Sequence, residues 1–463
     1  MAVCAAEQLD GLVVVAGPKD LSWAATLSAC FADMGCQTAV VGVPHSKSLN
    51  LYVPKLMPMT LGFDSSRLLL GEVVGNVATD SRSSDKYWHF IRCGTESQTM
   101  EVALRTRCTY SVLPAESFRN EEPMSLGKTA GQLREIIESR VAAGRHSGIV
   151  LLSQQVIERL PEMSKLKYEL LEILGNVESS GTNKPPTRRE VIENLKSDDT
   201  RELFKRLPRL VQLCLISSRD RQGLPLLPTD LDGDRIVGRF VQQELTSSKL
   251  QMPFAPRFHA MDLMHTAPLP SPFDCAFGFT LGHTAAALVC ERRTFYVASC
   301  ADMHLPVANW GPCAVPFSYL YYASDDSQDT GKVFAIPKRG WMLRHNLVEA
   351  YKHFRGLWHE SNLYQAPGPM QFGDGGDVGP QSHRPLALLA EYLSLDELKQ
   401  VIQPAVTLQP PLKVSTEPLK VRDVRMFDNL SALEQRRLQY QPLLPEYLRG
   451  PLRVQVEAIH PAA

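Results

Sequence analysis

Strand-like and helix-like runs alternate along the first third of the chain. Residues 12–15, 38–43, 86–92 and 148–152 are short runs rich in β-branched or aromatic residues, and they predict strands. Between them, residues 22–34, 64–79, 100–104 and 126–141 place apolar residues at helical spacing. Strands that alternate with helices of this length predict an α/β fold with mostly parallel, doubly wound sheets.

The pattern changes twice further along the chain. Residues 178–199 are polar and contain Pro185-Pro186, which predicts a surface insertion near 165–215. Helical spacing resumes at residues 235–245 and regular structure is expected to continue to about residue 402. Residues 404–428 are proline-rich and weakly periodic, so they read as a linker.

Bulk composition narrows the class of protein. The chain has 463 residues, a formal net charge of -1, 44% apolar residues and 21% charged residues, which is typical of a globular protein with more than one core. The balanced charge gives no reason to expect nucleic acid or an anionic membrane as a partner. Ten cysteines are scattered without a CxxC pair, as in reduced cytosolic proteins. We found no apolar run approaching the roughly 18 residues of a membrane span and no secretory signal, and therefore expect a cytoplasmic protein.

Several short motifs occur in a fixed order. They are Gly62-Phe63-Asp64, Gly75-Asn76, Thr79 to Ser83, Lys86 to Arg92, Leu269 to Cys275, Leu281-Gly282-His283, and Pro367 to Phe372. In their order and spacing these motifs resemble the pyrophosphate-dependent phosphofructokinases, over most of the span 9–377. The resemblance implies two Rossmann-like lobes and the phosphorylation of fructose 6-phosphate as the family reaction.

The loop Pro44 to Asn50 departs from that family at the residues that carry its chemistry. Family members have an aspartate base in this loop, and the matching positions here are Ser48 and Asn50. The family's preceding lysine is His45. A phosphoryl-transfer site that lacks its base cannot activate the sugar hydroxyl.

Other positions that the resemblance assigns to the site also differ. A family Gly-Gly-Asp-Asp-Ser loop, which holds phosphoryl donor and Mg²⁺, aligns with Gly17, Pro18 and Lys19. Sugar-phosphate contacts of the family fall on Thr95, Gln154 and Thr266, none of them charged. The sequence therefore predicts a chain with no catalytic residues, no bound metal and no cofactor, although active family members use Mg²⁺.

Some residues leave a weaker binding function open. Lys19, Lys47, Lys86 and Arg92 could form a residual anion site, with an internally paired or solvated rim as the alternative. His89, His259, His265 and His283 are not at metal-ligand spacing. Residues 373–377 read as a turn, and Cys93 as a structural thiol.

The resemblance also suggests how the chain is divided. We expect the remainder of a first lobe at 1–145, a second lobe at 146–403, the linker at 404–428, and the start of a following phosphofructokinase unit at 429–463. A chain cut from a tandem of two units would have this organisation, and so would an incomplete gene model.

Three functions remain as hypotheses. The first is a non-catalytic unit that stabilises or regulates an active phosphofructokinase unit, in the same polypeptide or as another subunit. The second is an active enzyme with a rearranged site, using Asp20 or Asp64 as base or metal ligand. The third is a sensor that binds a fructose phosphate or a nucleotide.

Overall fold

Two four-stranded sheets and one small hairpin organise the described part of the chain. The computed structural model describes residues 2–45, 53–113, 125–179, 185–219, 224–228, 231–247, 254–261, 264, 267–324, 333–335, 344–370 and 384–403, and of Lys19 only the backbone. The strands are β1 Gly11–Ala16, β2 Ala39–Pro44, β3 Trp88–Cys93, β4 Tyr110–Val112, β5 Gly148–Ser153, β6 Pro256–Ala260, β7 Tyr296–Ala301, β8 Gly311–Pro316, β9 Tyr322–Ser324 and β10 Val333–Ala335.

Helices connect and flank these strands. They are α1 Ala2–Ala6, α2 Pro18–Asp33, α3 Phe63–Ser84, α4 Glu96–Thr106, α5 Leu126–Ala142, α6 Pro161–Ser179, α7 Arg188–Asn194, α8 Asp198–Arg206, α9 Arg209–Ser217, α10 Gly233–Ser247, α11 Pro272–Cys290, α12 Phe317–Leu320, α13 His345–Glu360, α14 Leu386–Tyr392 and α15 Leu395–Ile402. The predicted α/β class with mostly parallel sheets is confirmed.

The first sheet has the strand order β1-β2-β7-β8. Strands β1, β2 and β7 run parallel, and β8 returns antiparallel beside β7. Helix α2 packs on β1 and β2, and α11 packs mainly on β2 and β7 on the face that carries Gly11. Val13 and Val15 of β1 are consequently left about half exposed, at 47% and 59%.

The second sheet has the strand order β4-β5-β3-β6, and all its strands are parallel. Every residue of β3 and β5 is buried, as expected for central strands covered by helices on both faces. One core cluster includes Trp88, Phe90, Val150 and Leu152 from this sheet, and a second cluster links both sheets through α3, α4, α11 and α13.

The predicted boundary after residue 145 does not separate the two sheets. Strands β3 and β4 precede that boundary but belong with β5, whereas β7 and β8 lie far beyond it and complete the sheet of β1 and β2. The chain therefore crosses from the first sheet to the second and back again. Alternation of strands and helices gives no information on which strands pair, so the sequence pattern could not place this crossing. Residues 404–463, with the predicted linker and following unit, lie outside the described residues.

The predicted polar insertion is more regular than its composition suggested. Residues 161–217 form α6 to α9, with a gap in the description at 180–184. Val191, Leu195, Leu203 and Phe204 from this segment enter the core of the second sheet. The segment is therefore a helical layer of that lobe, with most of its polar residues on the outer face and Glu169, Thr200 and Gln212 buried.

Helix α11 comes closer to a membrane-spanning composition than we expected. An 18-residue window of this 19-residue helix has a mean hydropathy of 1.3, and 28% of that window is buried. Phe273, Phe277, Leu281 and Ala285 form its inner face and pack in the core. The packing accounts for that apolar face as one layer of the α/β sandwich.

Candidate functional site

Loops at the carboxyl ends of the parallel strands are where open α/β sheets bind ligands. The described residues that directly follow β1, β2, β3, β5 and β6 are Gly17-Pro18, His45, Gly94-Thr95, Gln154-Gln155 and Met261, and none is acidic. Gly17, Pro18, Thr95 and Gln154 thus lie at strand ends. Ser48, Asn50, Lys47 and Thr266 lie outside the described residues.

The amino end of α2 is poorly suited to an anion. Gly17 is the N-cap, and Pro18 at the first helical position has no N–H to donate. The Pro18 carbonyl accepts a hydrogen bond from the Tyr321 hydroxyl at 2.7 Å. Asp20 is exposed in the first turn, where its negative charge interacts favourably with the helix dipole but would repel a phosphate.

His45, which follows β2, contacts both the end of β1 and the residue that precedes α3. Its N–H donates to the Ala16 carbonyl at 3.0 Å, which joins the ends of β1 and β2. Its ring lies over Gly62, where a Cβ would come within 3.1 Å of His45 Nε2. Gly62 has a φ of +91°, so a side chain there would be strained as well as crowded. The residue aligned with the family's lysine therefore packs on a turn.

Arg92 points into the second lobe. Its side chain is 5% exposed, donates to the Leu231 carbonyl, and lies 3.5 Å from Asp232 Oδ1 and 3.8 Å from Asp234 Oδ1. Burial raises the pKa of Asp234, an effect that the charge of Arg92 opposes. A cation engaged by two carboxylates does not provide a site for an added anion, so this placement does not support Arg92 as a residual anion ligand.

Lys86 lies at the other edge of the second sheet. It precedes β3, whereas Thr95 and Gln154 follow the carboxyl ends of β3 and β5. Its ammonium lies 5.4 Å from the ring centroid of Tyr87, and Arg257 stacks on the same ring. A shared anion site requires the candidate cations to lie close together, but the length of β3 separates Lys86 from the strand ends at Thr95 and Gln154.

Thr95 has a structural role that its sequence context could have revealed. Thr95 and Gln98 form a capping box at the start of α4, and the Thr95 N–H donates to Gln98 Oε1 at 2.8 Å. Gln98 Nε2 in turn donates to Ser66 Oγ at 2.6 Å. The Thr-x-x-Gln pattern is a helix-start signature, and it identifies Thr95 as a cap.

An ion pair that we did not predict lies beside the end of β5. Arg159 Nη1 donates to Glu96 Oε2 at 2.6 Å, and Arg159 Nη2 lies 3.3 Å from Gln155 Oε1. Gln154 contributes its backbone, because its N–H donates to the Gly94 carbonyl at 2.8 Å while its side chain is exposed. Nothing in the local sequence indicated that residues 63 positions apart would pair.

A carboxylate at the end of β7 was also missed. Asp302 directly follows Ala301, is exposed, and has a φ of +54°. Because Gly42 pairs with Val297 in parallel, β7 ends at the same edge of the sheet as β2, whose last residue precedes His45. The ring of Tyr392 stacks on His304 at a centroid distance of 3.6 Å, and Asp302 is among the charges that raise the pKa of Tyr392, after burial.

The motifs at Gly62 and Ser271 bind each other through buried side chains. Asp274 accepts hydrogen bonds from the Gly62 N–H at 3.1 Å, the Ser65 N–H at 2.7 Å and the Ser65 hydroxyl. The Ser271 hydroxyl donates to Asp64 Oδ2 at 2.6 Å. Burial, with the nearby charge of Asp64, raises the pKa of Asp274 to about 6. Hereafter the buried seam means these residues together with Arg67 and Glu101.

Arg67 and Glu101 extend the buried seam into the rest of the fold. Arg67 donates to Asp64 and lies 3.9 Å from Glu101 Oε1. Glu101 accepts the N–H groups of Leu386 and Ala387 at 2.7 and 2.9 Å, which are at the start of α14. Asp64 is thus buried and held by Arg67 and Ser271, a placement that does not support it as a catalytic base.

The histidines predicted to be structural lie in the core or on the surface. His89 Nδ1 and His259 Nε2, on neighbouring strands, are 3.0 Å apart, and burial, with the charge of His259, lowers the pKa of His89 to about 4. His283 is exposed on α11, and His265 and residues 373–377 lie outside the described residues. Within the described ranges no group of three His, Cys, Asp or Glu side chains is arranged to hold a metal ion.

Comparison with known proteins finds sequence relatives that are named pyrophosphate–fructose 6-phosphate 1-phosphotransferase. No protein-family model matches the chain. Subunit beta 2 of the Arabidopsis thaliana pyrophosphate–fructose 6-phosphate 1-phosphotransferase is 29% identical over 381 residues, covering 80% of this chain and 64% of the relative. The Treponema pallidum enzyme of that name is 30% identical over 373 residues, 79% of this chain and 64% of the relative. Subunit alpha of the Solanum tuberosum enzyme is 26% identical over 392 residues, which cover 82% of this chain and 61% of the relative.

The chain spans less than two thirds of the length of these three relatives. Among solved structures, the pyrophosphate-dependent phosphofructokinase of Nitrosospira multiformis is similar at a TM-score of 0.43 and 10% identity, covering 81% of this chain and 72% of that one. Saccharomyces cerevisiae phosphofructokinase gives a TM-score of 0.40 at 10% identity, and the match covers 68% of this chain and 32% of the yeast chain.

Proposed function

The chain belongs to the family of pyrophosphate-dependent phosphofructokinases, and we propose that within it this chain is a non-catalytic unit. It would not phosphorylate fructose 6-phosphate, and it would pair with an active homologous unit that it stabilises or regulates. The observation that carries the proposal is the chemistry of the strand ends. Phosphoryl transfer depends on positioned charge, and among the described residues directly after the parallel strands Asp302, which follows β7, is the only carboxylate, arginine or lysine.

The surroundings of those strand ends support the same conclusion. Pro18 and Asp20 disfavour a phosphate at the start of α2. Arg92 and Arg159, the nearest arginines, are engaged by Asp232 and Glu96. Cations that are already neutralised by buried or half-buried carboxylates contribute little to binding a sugar phosphate. The proposal accordingly includes no bound Mg²⁺ on this chain.

A direct assay tests the catalytic half of the proposal. The purified chain is assayed for fructose 6-phosphate phosphorylation with pyrophosphate and with ATP, both with Mg²⁺, and the Treponema pallidum relative serves as positive control. Loss of the base and of charge stabilisation predicts turnover at least about 10⁴-fold lower than the control. Turnover within tenfold of the control would overturn the proposal.

The second half concerns the partner. Curated relatives include proteins named as subunits alpha and beta of the same Solanum tuberosum enzyme, so association of unlike units has a precedent among them. We expect the chain to copurify with the Solanum tuberosum subunit beta and to change its kcat or KM, with that subunit alone as control. Copurification without any kinetic change would leave a structural partner, and no complex at tens of micromolar would contradict pairing.

A second candidate is an active enzyme that uses Asp302. The observation in its favour is the position of this exposed carboxylate at the sheet edge where β2 also ends. If the assay finds turnover, Asp302→Ala should abolish it, and Asp33→Ala, which removes an exposed carboxylate at the opposite end of α2 from the strand ends, is the matched control. Calorimetry with fructose 6-phosphate and ATP on the same preparation tests the sensor hypothesis. The absence of any binding heat at millimolar ligand would contradict that hypothesis.

A further inference from the structure

Strand β1 is the outer strand of the first sheet, and one of its edges is open to pairing. In the described part of the chain it pairs with β2 on one side, and no strand pairs with its other side. The Asp10 carbonyl accepts from the Ala39 N–H and the Ala16 carbonyl accepts from the His45 N–H, so the even-numbered residues of β1 turn their backbone groups towards β2. Alternate residues of a strand turn these groups in opposite directions. The residues whose N–H and C=O groups point away from the sheet are therefore Gly11, Val13 and Val15.

The free edge of β1 has none of the features that protect natural edge strands. Such strands usually carry a charge, a proline or a bulge. The six residues of β1 read Gly-Leu-Val-Val-Val-Ala, and all six pair with β2 in one uninterrupted register. The side chains of Val13 and Val15, which lie beside this edge, are about half exposed. An uncharged, regular and apolar edge is a template for one more strand.

Residues 452–458 have the sequence pattern that such a strand requires. Their apolar and polar side chains alternate strictly, and residues 404–463 contain no longer run of this kind. Period-two alternation is typical of a strand with one buried face. The apolar positions are Leu452, Val454, Val456 and Ala458, and the polar positions are Arg453, Gln455 and Glu457. Beside β1, the apolar side of this segment would extend the surface of Val13 and Val15.

Chain length and charge are both compatible with this placement. The connection 404–451 can extend by about 3.3 Å per residue, or roughly 160 Å, which is several times the size of a domain of this length. The charged side chains described within four residues of β1 are all acidic, namely Glu7, Asp10 and Asp20. Residues 449–459 contain two arginines and one glutamate, so the segment brings a net positive charge to an acidic rim.

We propose that residues 452–458 add to the free edge of β1 as a fifth strand of the first sheet, with Val454 and Val456 beside Val13 and Val15. The outward backbone groups of β1 then gain hydrogen-bond partners, as they do when an extended segment adds to an exposed sheet edge. The proposal concerns a single chain. It does not depend on whether that chain turns over substrate or pairs with an active unit.

Hydrogen exchange of the full chain tests whether the edge is covered. The amides of Val13 and Val15 point outwards, so they should be protected only if a strand lies against them. The double variant Val454→Asp/Val456→Asp places charges on the apolar side of the segment and should speed their exchange at least about tenfold. Val421→Asp/Val424→Asp introduces the same charges outside the segment and should leave both rates unchanged.

Two controls assign any loss of protection. The amides of β5, which is buried in the second sheet, should exchange equally in all three chains, which excludes general unfolding. Protection of β1 should be the same at ~1 and ~50 µM protein, because the added strand belongs to the same chain. Fast exchange at Val13 and Val15 in the wild type, protection that survives the Val454→Asp/Val456→Asp change, or protection that is lost on dilution would each overturn the proposal.

Photocrosslinking identifies the occupant directly. A benzoylphenylalanine introduced at Val15, which is 59% exposed, should link to residues 452–458 of the same chain, as read from the masses of the crosslinked peptides. The same group introduced at Leu210, which is 68% exposed on α9, is the matched control and should not link to that segment. A link from position 15 to a second copy, or to another part of the chain, would contradict the assignment of residues 452–458.

Discussion

Two polar regions lie within the same fold and differ in how their groups are used. The buried seam contains three carboxylates and an arginine, and its polar atoms bind backbone amides, hydroxyls and each other across more than 200 residues of sequence. The strand ends above it carry a proline, a threonine and a glutamine at the positions where the family resemblance places charged groups. The first region is rich in charge and the second is poor in it.

The difference separates charges that the fold needs for its stability from charges that only a bound ligand would need. A buried carboxylate must keep its partners, because removing one leaves an unpaired charge in the interior. An exposed residue at a strand end has no such constraint, and its charge matters only to a ligand. The fold can therefore keep the seam intact while the strand ends become neutral, and a chain of this shape need not be an enzyme.

Arg67→Ala should have the largest effect on stability. It removes the cation between buried Asp64 and Glu101, and breaking a buried pair in this way costs about 3–5 kcal/mol. Arg82→Ala, in the exposed last turn of the same helix, is the control and should change stability by less than about 0.5 kcal/mol. Urea denaturation followed by circular dichroism measures both. Equal effects of the two variants would mean that the buried seam does not hold the fold.

The pH dependence of stability should reveal the buried histidine pair. The pKa of His89 in the folded chain is about 4, below the unfolded value of 6.5, so the stability it contributes is present above pH 6.5 and is lost as pH falls towards 4. His359, with its pKa also lowered to about 4 by burial, acts in the same direction. Asp274 acts in the opposite direction between pH 4 and 6, because its pKa is raised.

His89→Phe should flatten that dependence by about 2–3 kcal/mol between pH 7.5 and 4.5. The Phe variant keeps a buried ring on β3, so the slope rather than the absolute stability is the quantity to compare. Denaturation at several pH values supplies it. A variant with the slope of the wild type would show that the two histidines titrate normally.

Thr95→Ala should have the smallest of the three effects and separates a cap from a ligand. Loss of the cap at the start of α4 costs about 1 kcal/mol. Gln154→Ala is the matched strand-end control, and since its side chain is exposed it should stay within about 0.5 kcal/mol. Thermal unfolding of both variants gives the comparison. If Gln154→Ala is the more harmful, the strand ends have a packing role that their exposure does not suggest.

Elements with a strong period were predictable from the sequence. The runs predicted at 38–43 and 148–152 correspond to β2 and β5, and those at 64–79 and 126–141 to α3 and α5, with ends shifted by up to five residues. These elements are read from the spacing of apolar side chains, which the sequence contains. The motifs at Gly62 and Ser271 were identified as scaffold, and the structure adds that they bind each other.

Pairings between distant residues were not predictable. Arg92 was expected at a cleft because it ends a strand, but Asp232 and Asp234 approach it from the start of α10, about 140 residues later. Lys86 was expected in the same cleft, although the direction of β3 places it at the opposite edge. Such contacts depend on the order of strands in each sheet, which local periodicity does not determine. The Thr95 cap, by contrast, has a local signature and could have been assigned.

The crossing of the chain between its two sheets sets the timing of folding during synthesis. Strand β2 ends at Pro44, and its partner β7 begins at Tyr296, so roughly 250 residues are made between them. At about 5–20 residues per second, β1 and β2 would wait about 12–50 s for the strand that covers their open side. The early strands of this protein are thus among the last to become protected. Until then, a nascent chain would need a chaperone or a slow collapse to keep these strands from associating with other nascent chains.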